Sequence, residues 1–175
     1  IESDQKLLLV FGGSLGAKRI NEGIRNLLPD ITEEYAIAHI CGAGNLAPEV
    51  DSVPGYYQFE YLYDEFGDLM AAADMVISRA GANSIYELLV MAKPHLLIPL
   101  GLAASRGDQI INADTFSAAG YSRVLLEDQL DAASLKKEIN SIMADQVKLL
   151  ERLSEFPRHD TVTEITQLIV ATGTD

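Results

Sequence analysis

Met75-Val76-Ile77-Ser78-Arg79-Ala80-Gly81-Ala82-Asn83-Ser84-Ile85-Tyr86-Glu87 is the stretch that decides the fold. A short apolar run leads into a glycine turn, and the turn leads into apolar residues at helical spacing through Met91. That order predicts strand, turn, helix. In an open parallel α/β sheet such a turn sits at the carboxyl end of a strand, where ligands bind. A helix starting there aims unpaired backbone N–H groups and a partial positive charge at whatever lies above it. Phosphate is the ligand best matched to that arrangement.

The same alternation repeats on both sides of the central turn. Upstream, Lys6 to Phe11 (KLLLVF) is a continuous apolar run, as expected for a strand buried on both faces. Gly12-Gly13-Ser14-Leu15-Gly16 forms a tight turn, and Ile20, Ile24, Leu27 and Leu28 mark a helix ended by Pro29. Further strands are predicted at Tyr35–Ile40 and Tyr56–Glu60, then a helix carrying Phe66, Leu69, Met70 and Ala73. Downstream, His95–Ile98 is a strand stopped by Pro99, Gly101–Gly107 a loop, and Asp108–Ala119 a helix ended by Gly120. A sixth strand spans Tyr121–Leu126. From Ala132 the chain is helical, breaks near Phe156-Pro157, and ends in an amphipathic helix through Val162, Ile165, Leu168 and Ile169. The fold class is therefore α/β, a doubly wound parallel sheet of Rossmann-like type.

The 175 residues make one domain, 48% hydrophobic and 22% charged, with a formal net charge of −13. That charge argues against nucleic acid and against an anionic membrane surface as partners. No apolar run approaches the roughly 18 residues of a membrane span, so no direct insertion is expected. The start at Ile1-Glu2-Ser3-Asp4, without Met, reads as a domain excised from a larger protein. Cys41, the single cysteine, forbids an internal disulfide and is expected as a small buried residue at a strand end. His39, His95 and His159 lack metal-ligand spacing, and no Asp-x-Asp occurs, so neither metal nor cofactor is expected.

Four places carry candidate chemistry. The Gly12–Gly16 turn is a backbone cradle for phosphate or sugar, or simply a packing turn. It lacks the Gly-Lys-Ser/Thr of a Walker A loop and the glycine spacing of a dinucleotide fingerprint. It matches Gly-x-Ser-x-Gly literally, but it follows the first strand, and His95 and His159 are poorly placed to serve Ser14. Ser84 and Glu87 form a Ser-x-x-Glu capping box, the simpler reading. Alternatively, Glu87 accepts hydrogen bonds from two adjacent ribose hydroxyls. Arg79 is either a phosphate partner or a brace paired with Asp74 or Glu87, the brace being favoured. Asp108 is an N-cap candidate, or with Gln109 a binder of sugar hydroxyls that Asn112 could join.

Taken together, Gly12-Gly13-Ser14-Leu15-Gly16-Ala17 with Asn21, Ser78-Arg79-Ala80-Gly81-Ala82 with Glu87, and Ser105-Arg106-Gly107-Asp108-Gln109 with Asn112-Ala113 resemble the MurG family. These are UDP-N-acetylglucosamine–lipid I N-acetylglucosaminyltransferases of peptidoglycan synthesis. The likeness runs from Lys6 to the chain end and covers only the carboxyl-terminal, donor-binding half of a two-domain GT-B enzyme. The Asp-Gln pair, where other members carry Gln-Gln, is similar to the Gram-positive form. The resemblance implies Glu87 on the ribose, Asn83 and Ser84 on the diphosphate, and Gly13, Ser14, Gly81 and Ala82 close to the donor phosphates. It places the Leu62 backbone on the uracil edge, Asp108 and Gln109 on the N-acetylglucosamine hydroxyls, and Arg79 at a family arginine without an assigned role. It implies inverting transfer without a metal, on the cytoplasmic face of the membrane, with lipid I held by an amino-terminal domain absent here. The 175 residues alone are then expected to bind donor but not to catalyse transfer.

Overall fold

The computed structural model describes residues 5–13, 16–102, 106–157 and 166. Strands and helices alternate as β1 (Lys6–Phe11), α1 (Lys18–Ile31), β2 (Tyr35–Ile40), β3 (Tyr56–Phe59), α2 (Glu65–Ala72), β4 (Met75–Ser78), α3 (Ala82–Val90), β5 (His95–Leu97), α4 (Asp108–Ala118), β6 (Arg123–Val124), α5 (Ala132–Ala144) and α6 (Gln146–Ser154). All pairings are parallel, in the order β3-β2-β1-β4-β5-β6. The order reverses between β1 and β4, where Phe11 lies beside Ser78. That is the topological switch point, and the two glycine turns flank it.

Apolar residues fill both faces of every long strand, so both must be covered. On one face Leu8, Val10, Ile37 and Ile77 pack beneath α1 and α5 through Ile24, Leu27, Leu135 and Ile139. On the other, Leu7, Leu9, Phe11 and Val76 meet Met70 of α2, Ile85 and Leu88 of α3 and Leu153 of α6. Each such large side chain, fully buried, contributes about 1.5–3 kcal/mol. This double cover anchors the strand ends, and hence the turns, in place.

Several boundaries differ from the sequence expectation. Pro29 lies inside α1 instead of ending it, because Leu28 and Ile31 continue the buried stripe past it. The last strand shrinks to Arg123–Val124, because it pairs only with β5, itself three residues long. The long carboxyl-terminal helix breaks at Asp145 as well, giving α5 and α6. The amphipathic helix expected from Val162 to Ile169 lies outside the described residues, Thr166 excepted. No described helix is long and apolar enough to cross a membrane.

Candidate functional site

The turn after β1 closes through Gly16 N–H donating to the Gly13 carbonyl at 2.9 Å. Gly16 has φ +73, and a Cβ there would overlap the Cys41 carbonyl, so this turn and the end of β2 approach as only glycine allows. Gly13 is exposed on the turn; Ser14 lies outside the described residues, and with it the Gly-x-Ser-x-Gly reading. Asn21, one turn into α1, is buried and structural. Its Nδ2 donates to the Cys41 carbonyl at 3.0 Å, so its Oδ1 must accept from His39 Nε2, also at 3.0 Å. That assigns the proton to Nε2, and His39 Nδ1 accepts from the Tyr56 hydroxyl at 2.8 Å. Burial, helped by the Arg25 guanidinium, lowers the His39 pKa to about 3. Cys41 is buried and free, as expected.

At the switch point α3 starts earlier than its sequence suggests. Gly81 is the N-cap, no side chain caps the helix, and its first turn holds no acidic residue. Ser84 and Glu87 therefore sit inside the helix, and the expected capping box does not form. The reason is local: Gly81 is extended at ψ 140, and Ile85 N–H already bonds the Gly81 carbonyl at 3.0 Å. Two consequences follow. The N–H groups of Ala82, Asn83 and Ser84 have no intrahelical acceptor. Glu87, exposed on the same face as Asn83 and Ser84, makes no hydrogen bond or ion pair among the described residues.

Arg79 does act as a brace, but with neither expected partner. Asp74 accepts from Leu7 N–H at 2.8 Å instead. One Arg79 Nη donates to the carbonyls of Ile98 (3.1 Å) and Pro99 (3.4 Å), and the other to Glu127 at 2.5 Å. The side chains of Arg79 and Glu127 are only 11% and 15% exposed, so this pair is shielded from solvent screening.

The loop after β5 forms the far side. Asp108 is not the N-cap of α4; Gly107 is, in the left-handed region at φ +88, where a β-carbon would be strained. Asp108 is exposed and unpartnered among the described residues. Gln109 Oε1 accepts from Leu100 N–H at 3.0 Å, leaving its Nε2 to donate outward. Asn112 donates to the Ala80 carbonyl at 3.1 Å and ties α4 to the central turn, so it does not face solvent.

On the near side, an apolar cleft of about 240 Å³ opens between Phe11, Gly13, Ile40, Tyr61, Leu62 and Phe66. Phe66 stands edge-on to Phe11 at 5.4 Å. Leu62 was expected at the uracil and Gly13 beside the donor phosphates; Phe11, Tyr61 and Phe66 were not expected to line a site, because apolar residues of a strand, a connection and a helix face read as core until the fold lays them side by side. A larger hollow of about 400 Å³ lies between α4 and α6, beside Arg123 and Arg152. Its arginines are already engaged by Asp145, Glu155 and the Ala119 carbonyl.

Along the carboxyl edge of the sheet the order is thus apolar cleft, uncapped helix terminus, then a carboxylate and an amide. From β2 to β5 is three strand spacings, about 14 Å. In doubly wound domains the crevice at this edge, beside the switch point, is where ligands bind.

The sequence profile of the glycosyltransferase family 28 C-terminal domain matches residues 7–169, and the chain belongs to that family. It is similar to a protein from Clostridium botulinum (strain Loch Maree / Type A3) named UDP-N-acetylglucosamine–N-acetylmuramyl-(pentapeptide) pyrophosphoryl-undecaprenol N-acetylglucosamine transferase. The two are 46% identical over 168 residues, covering 96% of this chain and 48% of the relative. A protein of the same name from Lachnoclostridium phytofermentans is 45% identical over 163 residues, 93% of this chain and 46% of its own. The chain spans about half the length of the curated relatives it matches. Among solved structures, Acinetobacter baumannii MurG superposes with a TM-score of 0.83 at 20% identity, over 98% of this chain and 51% of that one. The UDP-GlcNAc 2-epimerase of Neisseria meningitidis, bound to UDP-GlcNAc, does so at 0.59 and 17% identity, over 87% and 40%. At these identities the likeness is one of fold.

Proposed function

We propose that this chain is the donor-binding half of an inverting glycosyltransferase that moves N-acetylglucosamine from UDP-N-acetylglucosamine to lipid I in peptidoglycan synthesis. The observation that carries the reading is the uncapped amino end of α3 at the switch point, with the unpartnered Glu87 carboxylate one turn along it. The uracil lies in the cleft beside Leu62, its edge on the Leu62 backbone. Glu87 accepts from both ribose hydroxyls. The diphosphate rests on the N–H groups of Ala82, Asn83 and Ser84, with Gly81 and Gly13 alongside. Asp108 and the Gln109 amide take the sugar hydroxyls. Arg79, committed to protein groups, serves from behind the turn.

The acceptor hydroxyl attacks the anomeric carbon as the bond to the phosphate oxygen breaks. Uridine diphosphate leaves with the added negative charge. Backbone donors and the helix dipole stabilise that charge because they are fixed before the reaction and need no reorganisation. The acceptor, and the base that takes its proton, belong to an amino-terminal domain; the full-length protein works at the cytoplasmic face of the membrane, where its lipid-linked acceptor lies.

Calorimetric titration tests this. UDP-N-acetylglucosamine should bind more tightly than UDP-glucose, and Asp108→Ala should weaken the former about tenfold while sparing UDP, as expected for one charge-assisted hydrogen bond. A preference for UDP-glucose would redirect the reading to a glycolipid transferase with a diacylglycerol acceptor. In a lipid I assay the 175 residues alone should give no transfer; turnover would contradict the division of labour.

A further inference from the structure

Glu127 lies 48 residues from Arg79 in sequence, on the connection after β6, and belongs to none of the motifs that mark the site. Its two oxygens face two donors from two other connections. Oε1 accepts from Arg79 Nη2 at 2.5 Å, on the turn after β4, and Oε2 from Gly101 N–H at 3.3 Å, on the loop after β5. Arg79 in turn holds the start of that loop through the Ile98 and Pro99 carbonyls. One carboxylate is therefore the common node of the three connections at the carboxyl ends of β4, β5 and β6.

We infer that Glu127 is a positioning residue that sets the start of the β5–α4 connection, which holds Gln109 through the Leu100 amide, relative to the amino end of α3, and so governs recognition of the donor's sugar but not of its nucleotide. The inference rests on the donor-site reading above. The two ends of the donor are separable because their supports are. The apolar cleft is formed by β1, β2 and the Tyr61–Phe66 segment, none of which Glu127 touches. The α3 terminus keeps Asn112 on the Ala80 carbonyl and its own packing through Ile85. The β5 loop, by contrast, has its Gly101 amide on Glu127 directly.

Glu127→Gln is the informative change. An amide offers one oxygen and one NH2 group, so one of the two facing donors must then meet another donor. Titration of this chain with UDP and with UDP-N-acetylglucosamine should show UDP affinity within about twofold of wild type. UDP-N-acetylglucosamine should bind about tenfold more weakly, the scale of one lost hydrogen bond to the sugar. Should Glu127→Gln fail to fold, Arg79→Met/Glu127→Leu removes both charges together, so that neither is left buried without its partner. The same split is expected of it. Equal losses for both ligands, or an unaltered UDP-N-acetylglucosamine affinity in a folded variant, overturn the positioning role and leave the donor site standing. Wild-type chain that binds neither ligand overturns the donor site and this inference together.

Discussion

Glu87→Ala is expected to lower the affinity for UDP and UDP-N-acetylglucosamine alike by roughly a hundredfold, with no loss of thermal stability. The two halves of that result have separate physical origins. Glu87 is exposed and makes no hydrogen bond or ion pair among the described residues, so truncating it removes no intramolecular contact. Surface changes of that kind stay within about 0.5 kcal/mol. In the proposed donor complex its carboxylate takes two ribose hydroxyls, and charge-assisted hydrogen bonds are worth about 1.5–3 kcal/mol each. A total near 3 kcal/mol corresponds to roughly a hundredfold in affinity. Calorimetry beside a thermal melt reads both quantities. A lowered melting temperature with unchanged affinity would mean that Glu87 belongs to the scaffold, and the donor site would have to be sought elsewhere.

Acidification from pH 7 to pH 5 should cost on the order of 3–4 kcal/mol of folding stability, most of it from His39 and His95. Both rings are buried and fully engaged as neutral groups. His95 Nδ1–H donates to the Lys93 carbonyl at 2.7 Å, and its Nε2 accepts from the Ser122 hydroxyl at 2.6 Å. Burial lowers the His95 pKa to about 4, the Lys93 carbonyl opposing it in part, and that of His39 to about 3. The unfolded chain titrates near 6.5, so between about 6.5 and 4 it binds protons that the folded state refuses. Stability contributed by the neutral rings is complete above 6.5 and falls with pH across that window, by about 1 kcal/mol per pH unit for each ring. Urea titrations at the two pH values measure it. His39→Gln and His95→Gln should each flatten the dependence even if they lower stability at pH 7. An undiminished slope in the double variant would assign the acid response to carboxylates instead.

The strands were readable because a doubly wound sheet buries both faces, so β1 and β4 appear as unbroken apolar runs over residues 7–11 and 75–77. The place of the candidate site was readable in outline for the same reason, since glycine turns after such runs must lie at the carboxyl edge. The capping box was misread because Ser-x-x-Glu has meaning only relative to where a helix begins, and Gly81 starts α3 three residues before Ser84. Asp108 was misread likewise, one residue inside a helix that Gly107 opens. In both cases the fold leaves a carboxylate free of its own backbone, which favours the alternative reading given for each residue.

Composition and periodicity alone settled the layered α/β architecture, its parallel crossovers, and which turns lie at the carboxyl edge of the sheet, because these follow from local apolar patterning. Folding decided the rest: that Arg79 answers to Glu127, that Asn21 and Asn112 are ties within the scaffold, and that Phe11, Tyr61 and Phe66 line a cleft. Such pairings join residues tens of positions apart, and side-chain chemistry does not specify a partner until packing brings one within reach.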